Sequence, residues 1–254
     1  MGKPDIETTA ENRGEDLLIG RNAVSEAIKS GREIDTLFVA KGDRSGSIGP
    51  IIGKAKQNGT VVKEVDRRKL DAMCGGGNHQ GVAARVAAHE YSDVDDMLAA
   101  AQQRGEPPFL IICDEIEDPH NLGAIIRSAD ACGAHGVIIP KRRGVSLTYA
   151  VGKVSAGAVE YVPVARVPNL AQTIDELKAK GLWIYGADMD GERWDKVRYD
   201  GPVALVIGSE GRGISRIVRD KCDFIVSLPM RGRIKSLNAS VAAAILMYEV
   251  IKYR

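Results

Sequence analysis

The spacing of apolar residues divides the 254-residue chain into two stretches of different rhythm. In the first, Ala23, Val24, Ala27 and Ile28 recur at the helical period behind Asn22. That predicts a helix capped by the asparagine and ending near Gly31. Short apolar runs at residues 36–40, Val61–Val65 and Val82–Val86 read as strands, separated by helical patterns at 51–57 and Arg67–Met73. Together they predict a small α/β unit over residues 16–90. Ser92-Asp93-Val94-Asp95 has the form of a capping box opening a helix through Gln103. Gly105-Glu106-Pro107-Pro108 stops that helix and reads as a boundary, so 91–108 are expected to be a linker with one helix.

From residue 109 onward, continuous apolar runs alternate with helical patterns. Strands are expected at Phe109–Cys113, 137–140, 159–164, 183–187, Val203–Ile207 and 224–228. A run such as Val203-Ala204-Leu205-Val206-Ile207 has no polar face, which fits a parallel sheet covered on both sides. A helix after Pro119 would bury Leu122, Ile125, Ile126, Ala129 and Cys132, and another over 169–180 would bury Leu170, Ile174 and Leu177. Residues 109–254 therefore predict a second, larger α/β domain built on a parallel sheet.

Composition narrows the class without naming a function. With 44% hydrophobic and 27% charged residues the chain has the profile of a soluble globular protein. A formal charge of +1 argues against gross polyelectrolyte binding but leaves room for local basic patches. Lys and Arg outnumber Asp and Glu by twelve to nine over 16–90, and Arg67-Arg68-Lys69 reads first as a solvated face. Cys74, Cys113, Cys132 and Cys222 form no C-x-x-C pair, so neither a metal site nor a disulfide framework is expected, and a reducing cytoplasm fits. Residues 1–15 are polar and read as a disordered tail rather than a signal peptide. The apolar stretch 241–247 is too short to span a membrane.

In open parallel sheets ligands bind beyond the carboxyl ends of the strands. Three such ends carry polar or glycine-rich words. Asp114-Glu115-Ile116-Glu117-Asp118-Pro119-His120-Asn121-Leu122-Gly123 follows the first strand, with Arg127 on the ensuing helix. Gly208-Ser209-Glu210-Gly211-Arg212-Gly213 follows Ile207. Leu228-Pro229-Met230 leads through Arg231, Arg233 and Lys235 into Ser236-Leu237-Asn238-Ala239-Ser240. No G-x-G-x-x-G follows a strand, and neither a phosphate-loop motif nor a G-x-S-x-G elbow occurs. The carboxylates Asp114, Glu115, Glu117 and Asp118 read as capping and dipole partners of the helix that follows.

Taken together and in order, these three words resemble the SpoU (TrmH) family of RNA ribose 2′-O-methyltransferases, within the SPOUT superfamily. The resemblance covers 109–254. It extends to the first unit through Gly20-Arg21-Asn22-Ala23-Val24 and His79-Gln80-Gly81-Val82, which look like the substrate-binding domain of members acting on large-subunit ribosomal RNA. It implies a trefoil-knotted domain, contrary to the usual avoidance of knots. It further implies a homodimer with the last helix, rich in Ala239, Ala242, Ala243 and Ala244, at the interface. S-adenosylmethionine would be held around Ala187, Gly208, Leu228, Met230 and Leu237, and no metal is implied. A guanosine of 23S ribosomal RNA is the first-choice target, with transfer RNA and a resistance-type adenosine left open.

The family pattern places catalysis on Asn121, Arg127, Glu210, Ser236 and Asn238, and RNA contacts on Arg142, Arg143, Arg231, Arg233 and Lys235. Family members often carry small residues where this chain has Arg231-Gly232-Arg233-Ile234-Lys235. A guanidinium keeps its proton beyond pH 12, so Arg127 is expected to bind phosphate and stabilise a developing alkoxide rather than act as base. Asn121 could orient Arg127 or the ribose, Glu210 could be the base or orient Arg127, and His120 is expected to be an exposed loop residue. Two other classes compete: a non-catalytic RNA-binding protein on the same scaffold, and an enzyme acting on small nucleotides. Cofactor binding discriminates the first, and labelled methyl transfer to RNA against mononucleosides the second.

Overall fold

The structure, a computed structural model, describes residues 16–43 and 46–254, so the expected tail at 1–15 lies outside the described residues. The chain forms two compact units, one of residues up to Ala88 with Leu147–Tyr149, the other of His89–Ser146 and Ala150–Arg254.

The first unit carries a four-stranded sheet in the order β1-β4-β2-β3, formed by β1 (Leu17–Ile19), β2 (Ile34–Ala40), β3 (Val61–Val65) and β4 (Val82–Val86). Helices α1 (Arg21–Lys29), α2 (Ile48–Gln57) and α3 (Arg67–Met73) complete it. Val24, Ile28, Leu37, Ile48 and Ile51 form its core, each burial of this kind stabilising by about 1.5–3 kcal/mol. Asn22 does not cap α1 as expected. Gly20 holds that place, with φ 92°, and its N–H donates to the Val82 carbonyl at 3.1 Å. Asn22, already one residue inside the helix, cannot reach back to an unpaired N–H. His79 is buried and orders the turn before β4: Nδ1 accepts the Gly81 N–H at 2.9 Å, so Nε2 carries the proton toward Asp71 at 2.8 Å. The Gln80 carbonyl accepts from Arg21 Nε at 2.9 Å, joining the two short words on which the resemblance in this unit rested.

The second unit is built on six parallel strands in the order β10-β8-β9-β5-β6-β7. These are β5 (Phe109–Cys113), β6 (Gly136–Pro140), β7 (Val164–Val167), β8 (Trp183–Arg193), β9 (Val203–Ile207) and β10 (Phe224–Ser227). Between them run α4 (Val94–Arg104), α5 (Pro119–Ala131), α6 (Tyr149–Val154), α7 (Leu170–Ala179), α8 (Arg216–Arg219) and α9 (Ala239–Val250). Leu110, Ile112, Ile138, Ala204 and Val206 point to one face and pack with Ile174 and Leu177 of α7. The alternate residues Phe109, Ile111 and Leu205 are equally buried. That explains runs with no polar position.

Three expectations change here. The helix α4 is no linker: Met97 is fully buried among Leu110, Ile112 and Ile138, so this helix belongs to the core of the second unit. The expected capping box also fails, since Asp93, not Ser92, is the N-cap residue and no side-chain cap bond forms. Residues 159–164 are not a strand. A 3-10 turn spans Ala158–Glu160 and β7 starts only at Val164. Pro163 has no N–H to give a ladder, and Val162 donates to the Ala158 carbonyl instead.

Candidate active site

Three chain segments meet beyond the carboxyl ends of β8, β9 and β10. The loop after β9 folds on itself, with Ser209 N–H donating to the Gly213 carbonyl at 3.0 Å and Gly213 N–H returning to Ser209 at 2.9 Å. A Cβ on Gly208 would lie 2.1 Å from the Gly213 carbonyl carbon, so only glycine fits. The loop's exit is pinned from β5, where the Asp114 carboxylate accepts the Ser215 N–H at 2.7 Å at the start of α8. Asp114 is thus not a partner of α5 as expected. Of the four carboxylates, Asp118 is the one that caps α5, accepting the His120 N–H at 2.9 Å. His120 itself is exposed in the first turn of α5.

Strand β8 supplies the second wall. Its pairing with β10 jumps from Gly186 opposite Ile225 to Glu192 opposite Val226, so residues 187–191 leave the ladder as a bulge. Gly191 permits it, because a Cβ there would sit 2.6 Å from the Ile225 backbone. The third wall is the stretch from Leu228 to Leu237 and the first turns of α9. They enclose a cleft of about 370 Å³. Ala187, Gly208, Leu228, Met230 and Leu237 all line it, as do the polar residues Glu210, Lys235 and Ser236.

Beside the cleft, Asn121, Glu210 and Asn238 form one hydrogen-bonded cluster. Asp118 and Pro119 fix the start of α5, which places Asn121 in its first turn, buried. Asn121 Nδ2 donates to Glu210 Oε1 at 2.9 Å, and Asn121 Oδ1 accepts from Asn238 Nδ2 at 2.8 Å. Asn238 Nδ2 also reaches Glu210 Oε1, and the Ala239 N–H donates to that oxygen at 3.3 Å. Asn238 is at the same time the N-cap of α9, its Oδ1 accepting from Ser240 N–H at 3.0 Å and Val241 N–H at 3.3 Å. Turning either amide over would set donor against donor, so the network fixes both orientations.

The remaining expected site residues fall around this cluster without joining it. Arg127 is exposed on α5 and has no ion-pair or hydrogen-bond partner among the described residues; neither Asn121 nor Glu210 orients it. Arg142, Arg231, Arg233 and Lys235 are likewise exposed and unpaired among the described residues. Arg143 pairs with Glu115 at 3.5 Å, and so does Arg212, at 3.7 Å. Glu115 is thus a partner of two arginines rather than of α5 as expected. Nothing in the sequence signals the roles of Arg212 or of Asp188, which lines the cleft and pairs with Arg219 at 3.1 Å. No sequence periodicity links such partners.

Thiol chemistry has no support here. Burial pushes Cys113 and Cys222 up to about 12, and Cys132 up to about 11, so these sulfurs stay protonated at neutral pH. None of the three lines the cleft. Among the described residues no group of three or more His, Cys, Asp or Glu could hold a metal ion, and no helix is long and apolar enough to cross a membrane.

Residues 108–248 match the SpoU rRNA Methylase family, and residues 17–92 match the RNA 2′-O ribose methyltransferase substrate binding family. The chain belongs to the SpoU methylase family. Over 241 residues it is 53% identical to YacO of Bacillus subtilis (strain 168), named for the TrmH family of tRNA/rRNA methyltransferases, covering 94% of this chain and 96% of that one. A TrmH-family relative from Staphylococcus haemolyticus is 49% identical over 239 residues, with the same coverage. Among solved structures, the SpoU methyltransferase AviRb from Streptomyces viridochromogenes, in complex with AdoMet, aligns with a TM-score of 0.58 and 27% identity over 93% of this chain and 89% of its own. An AdoMet-bound rRNA methyltransferase from Sinorhizobium meliloti gives 0.58 and 25%, over 93% and 87%. As a SpoU family member the chain is an RNA methyltransferase that uses S-adenosylmethionine.

Proposed function

We propose that the protein methylates a ribose 2′-hydroxyl of RNA, with a guanosine of 23S ribosomal RNA as the target. One observation carries this: the Asn121–Glu210–Asn238 cluster joins three distant segments beside a cleft whose lining includes Lys235, a cation unpaired among the described residues. The cleft fits S-adenosylmethionine, because its walls are mostly apolar side chains and loop backbone, and a cofactor without phosphates needs no phosphate loop. When bound there, the cofactor supplies a methyl group on an electrophilic sulfonium.

The protein's own part is alignment and charge. Gly208, Leu228 and Leu237 would hold the cofactor against backbone, with Ala187 and Met230 closing the sides. Ser236, exposed and lining the cleft, would meet the ribose, and Asn238 would hold the segment carrying it in place. Arg127 would bind the phosphate beside the target ribose and stabilise negative charge on its 2′-oxygen. Glu210 spends Oε1 on three donors and serves first as the tie between segments. Arg142, Arg143, Arg231, Arg233 and Lys235 would meet the RNA backbone, which positions without reading sequence.

The knot, the cytoplasmic location and the homodimer belong to the same proposal. For the dimer, the support shifts from the alanines to other residues of α9. Ala239 and Ala243 are buried within the chain, and Ala242 lines the cleft. Val241 and Tyr248, 47% and 53% exposed, leave an apolar stripe that a second copy would cover. The test is incubation of the full-length protein with labelled S-adenosylmethionine and unmodified 23S ribosomal RNA or transfer RNA transcripts. Label in alkali-stable dinucleotides from ribosomal RNA supports the proposal. Label in transfer RNA alone moves the target, and label in bases overturns the 2′-oxygen chemistry.

A further inference from the structure

Glu115 and Arg143 are both held in the left-handed backbone region, at φ 56° and 58°. Side chains bearing a Cβ are strained there, and such strain persists where the surrounding structure enforces it. The two residues are also partners. The Glu115 side chain is only 14% exposed; its Oε1 faces Arg143 at 3.5 Å and its Oε2 faces Arg212 at 3.7 Å. Both arginine side chains are more than 70% exposed, so most of each guanidinium fork faces solvent. The two arginines come from different loops. Arg143 lies in the turn after β6, which is tied to the β5 exit by Val145 N–H donating to the Ile116 carbonyl at 2.8 Å. Arg212 lies in the loop that closes on itself between Ser209 and Gly213, and it lines the cofactor cleft.

Stability does not account for this arrangement. Ion pairs this exposed contribute little, while two left-handed residues cost something. What the carboxylate achieves is geometric: it draws two planar forks together and still leaves one net positive charge. We propose that Glu115 is a positioning residue that holds Arg143 and Arg212 as a two-pronged clamp for a backbone phosphate of the RNA at the mouth of the cleft. Two guanidiniums converging on one phosphate give directed, charge-assisted contacts that a lone mobile arginine does not. The clamp rests on the RNA methyltransferase reading above and adds Glu115 and Arg212 to it.

The sign of one substitution tests the clamp. Removing a negative charge from a surface that binds a polyanion should strengthen binding if Glu115 is only a nearby charge. If Glu115 positions the forks, Glu115→Gln should weaken binding instead. The assay uses the full-length protein and an unmodified 23S ribosomal RNA transcript, with Kd followed across roughly 50–200 mM salt. The expected result for Glu115→Gln is a Kd and a KM for RNA raised about three- to tenfold and a salt slope flatter by about one. The Kd for S-adenosylmethionine should stay within about twofold, because Glu115 itself does not line the cleft. On an Arg143→Ala/Arg212→Ala background the same change should do nothing more. Glu115→Gly, which relieves the backbone strain, should hold or raise the melting temperature while still raising KM for RNA. Equal or tighter RNA binding by Glu115→Gln overturns the clamp, as does a joint fall in melting temperature and cofactor affinity in both Glu115 variants. Wild-type protein that binds cofactor but neither ribosomal nor transfer RNA would overturn the RNA reading itself, and the clamp with it.

Discussion

Replacing Asn238 separates two jobs that one side chain performs. In Asn238→Ala, the N–H groups of Ser240 and Val241 lose their cap, at a cost of about 1 kcal/mol. Buried Asn121 Oδ1 also loses its donor, and an unsatisfied buried acceptor costs about 1–3 kcal/mol. The sum is about 2–4 kcal/mol, less than the 5–15 kcal/mol typical of a folded domain, so the variant should fold. Its melting temperature should fall by about 5–15 °C at roughly 2–4 °C per kcal/mol. Asn238→Ser keeps an oxygen able to cap α9 but cannot reach Asn121, so it should recover about 1 kcal/mol of the loss. Urea unfolding followed by tryptophan fluorescence reads this directly, because Trp183 and Trp194 both lie in the second unit. Both variants should bind S-adenosylmethionine more weakly, since Ala239, the next residue, lines the cleft. A serine variant as unstable as the alanine one would refute the capping argument. Two variants within about 0.5 kcal/mol of wild type, the range of an ordinary surface change, would refute the network as a structural tie.

Other substitutions probe separate parts of the structure. Gly208→Ala would drive a methyl into the Gly213 backbone, so cofactor binding should be lost with a smaller loss of folding, as seen by calorimetry and melting. Mutating Arg231, Arg233 and Lys235 together to Ala should weaken RNA binding and flatten its salt dependence with little change in cofactor affinity; an unchanged slope would return the turn to plain solvated surface. Arg127→Ala should lower single-turnover methylation by about a hundredfold or more while the cofactor still binds, and Lys should recover little of it, because a point charge cannot reproduce a planar fork. Met97→Ala should cost about 2–5 kcal/mol of unfolding free energy, which a helix lying in a linker would not.

What could be foreseen depended on whether the deciding contacts were local. Val61–Val65, Phe109–Cys113 and Val203–Ile207 were legible to the residue, since an apolar run between chain breakers is a local signal. Strand β1 was missed because three residues make no pattern. The far half of β8 was missed because Met189-Asp190-Gly191-Glu192 is mostly polar, and only Glu192 and Arg193 rejoin β10 after the bulge. Residues 159–164 misled in the other direction, being apolar enough for a strand but bent by left-handed Ala156 and Gly157 and closed by Pro163. The cleft residues came from a family resemblance, and Ala187, Gly208, Leu228, Met230 and Leu237 do lie together. That Glu210 would bond Asn121 and Asn238 rather than Arg127 could not be read from spacing. It depends on how α5 enters from its Asp118 cap and where α9 begins.

The tie at Glu210 also sets a timetable for the polypeptide during its synthesis. Its partners lie 89 residues before it and 28 residues after it, so the Asn121 amide waits, half-satisfied, until the last helix has been made. Contacts of such sequence separation form late and slowly. At about 5–20 residues per second the ribosome needs several seconds to travel from the first member to the third. A nascent chain halted just before Asn238 would already carry Arg127 and all six strands of the parallel sheet, yet own no closed pocket. Catalytic competence then arrives in one step, with the docking of α9, and a prematurely terminated product would be inert rather than promiscuous.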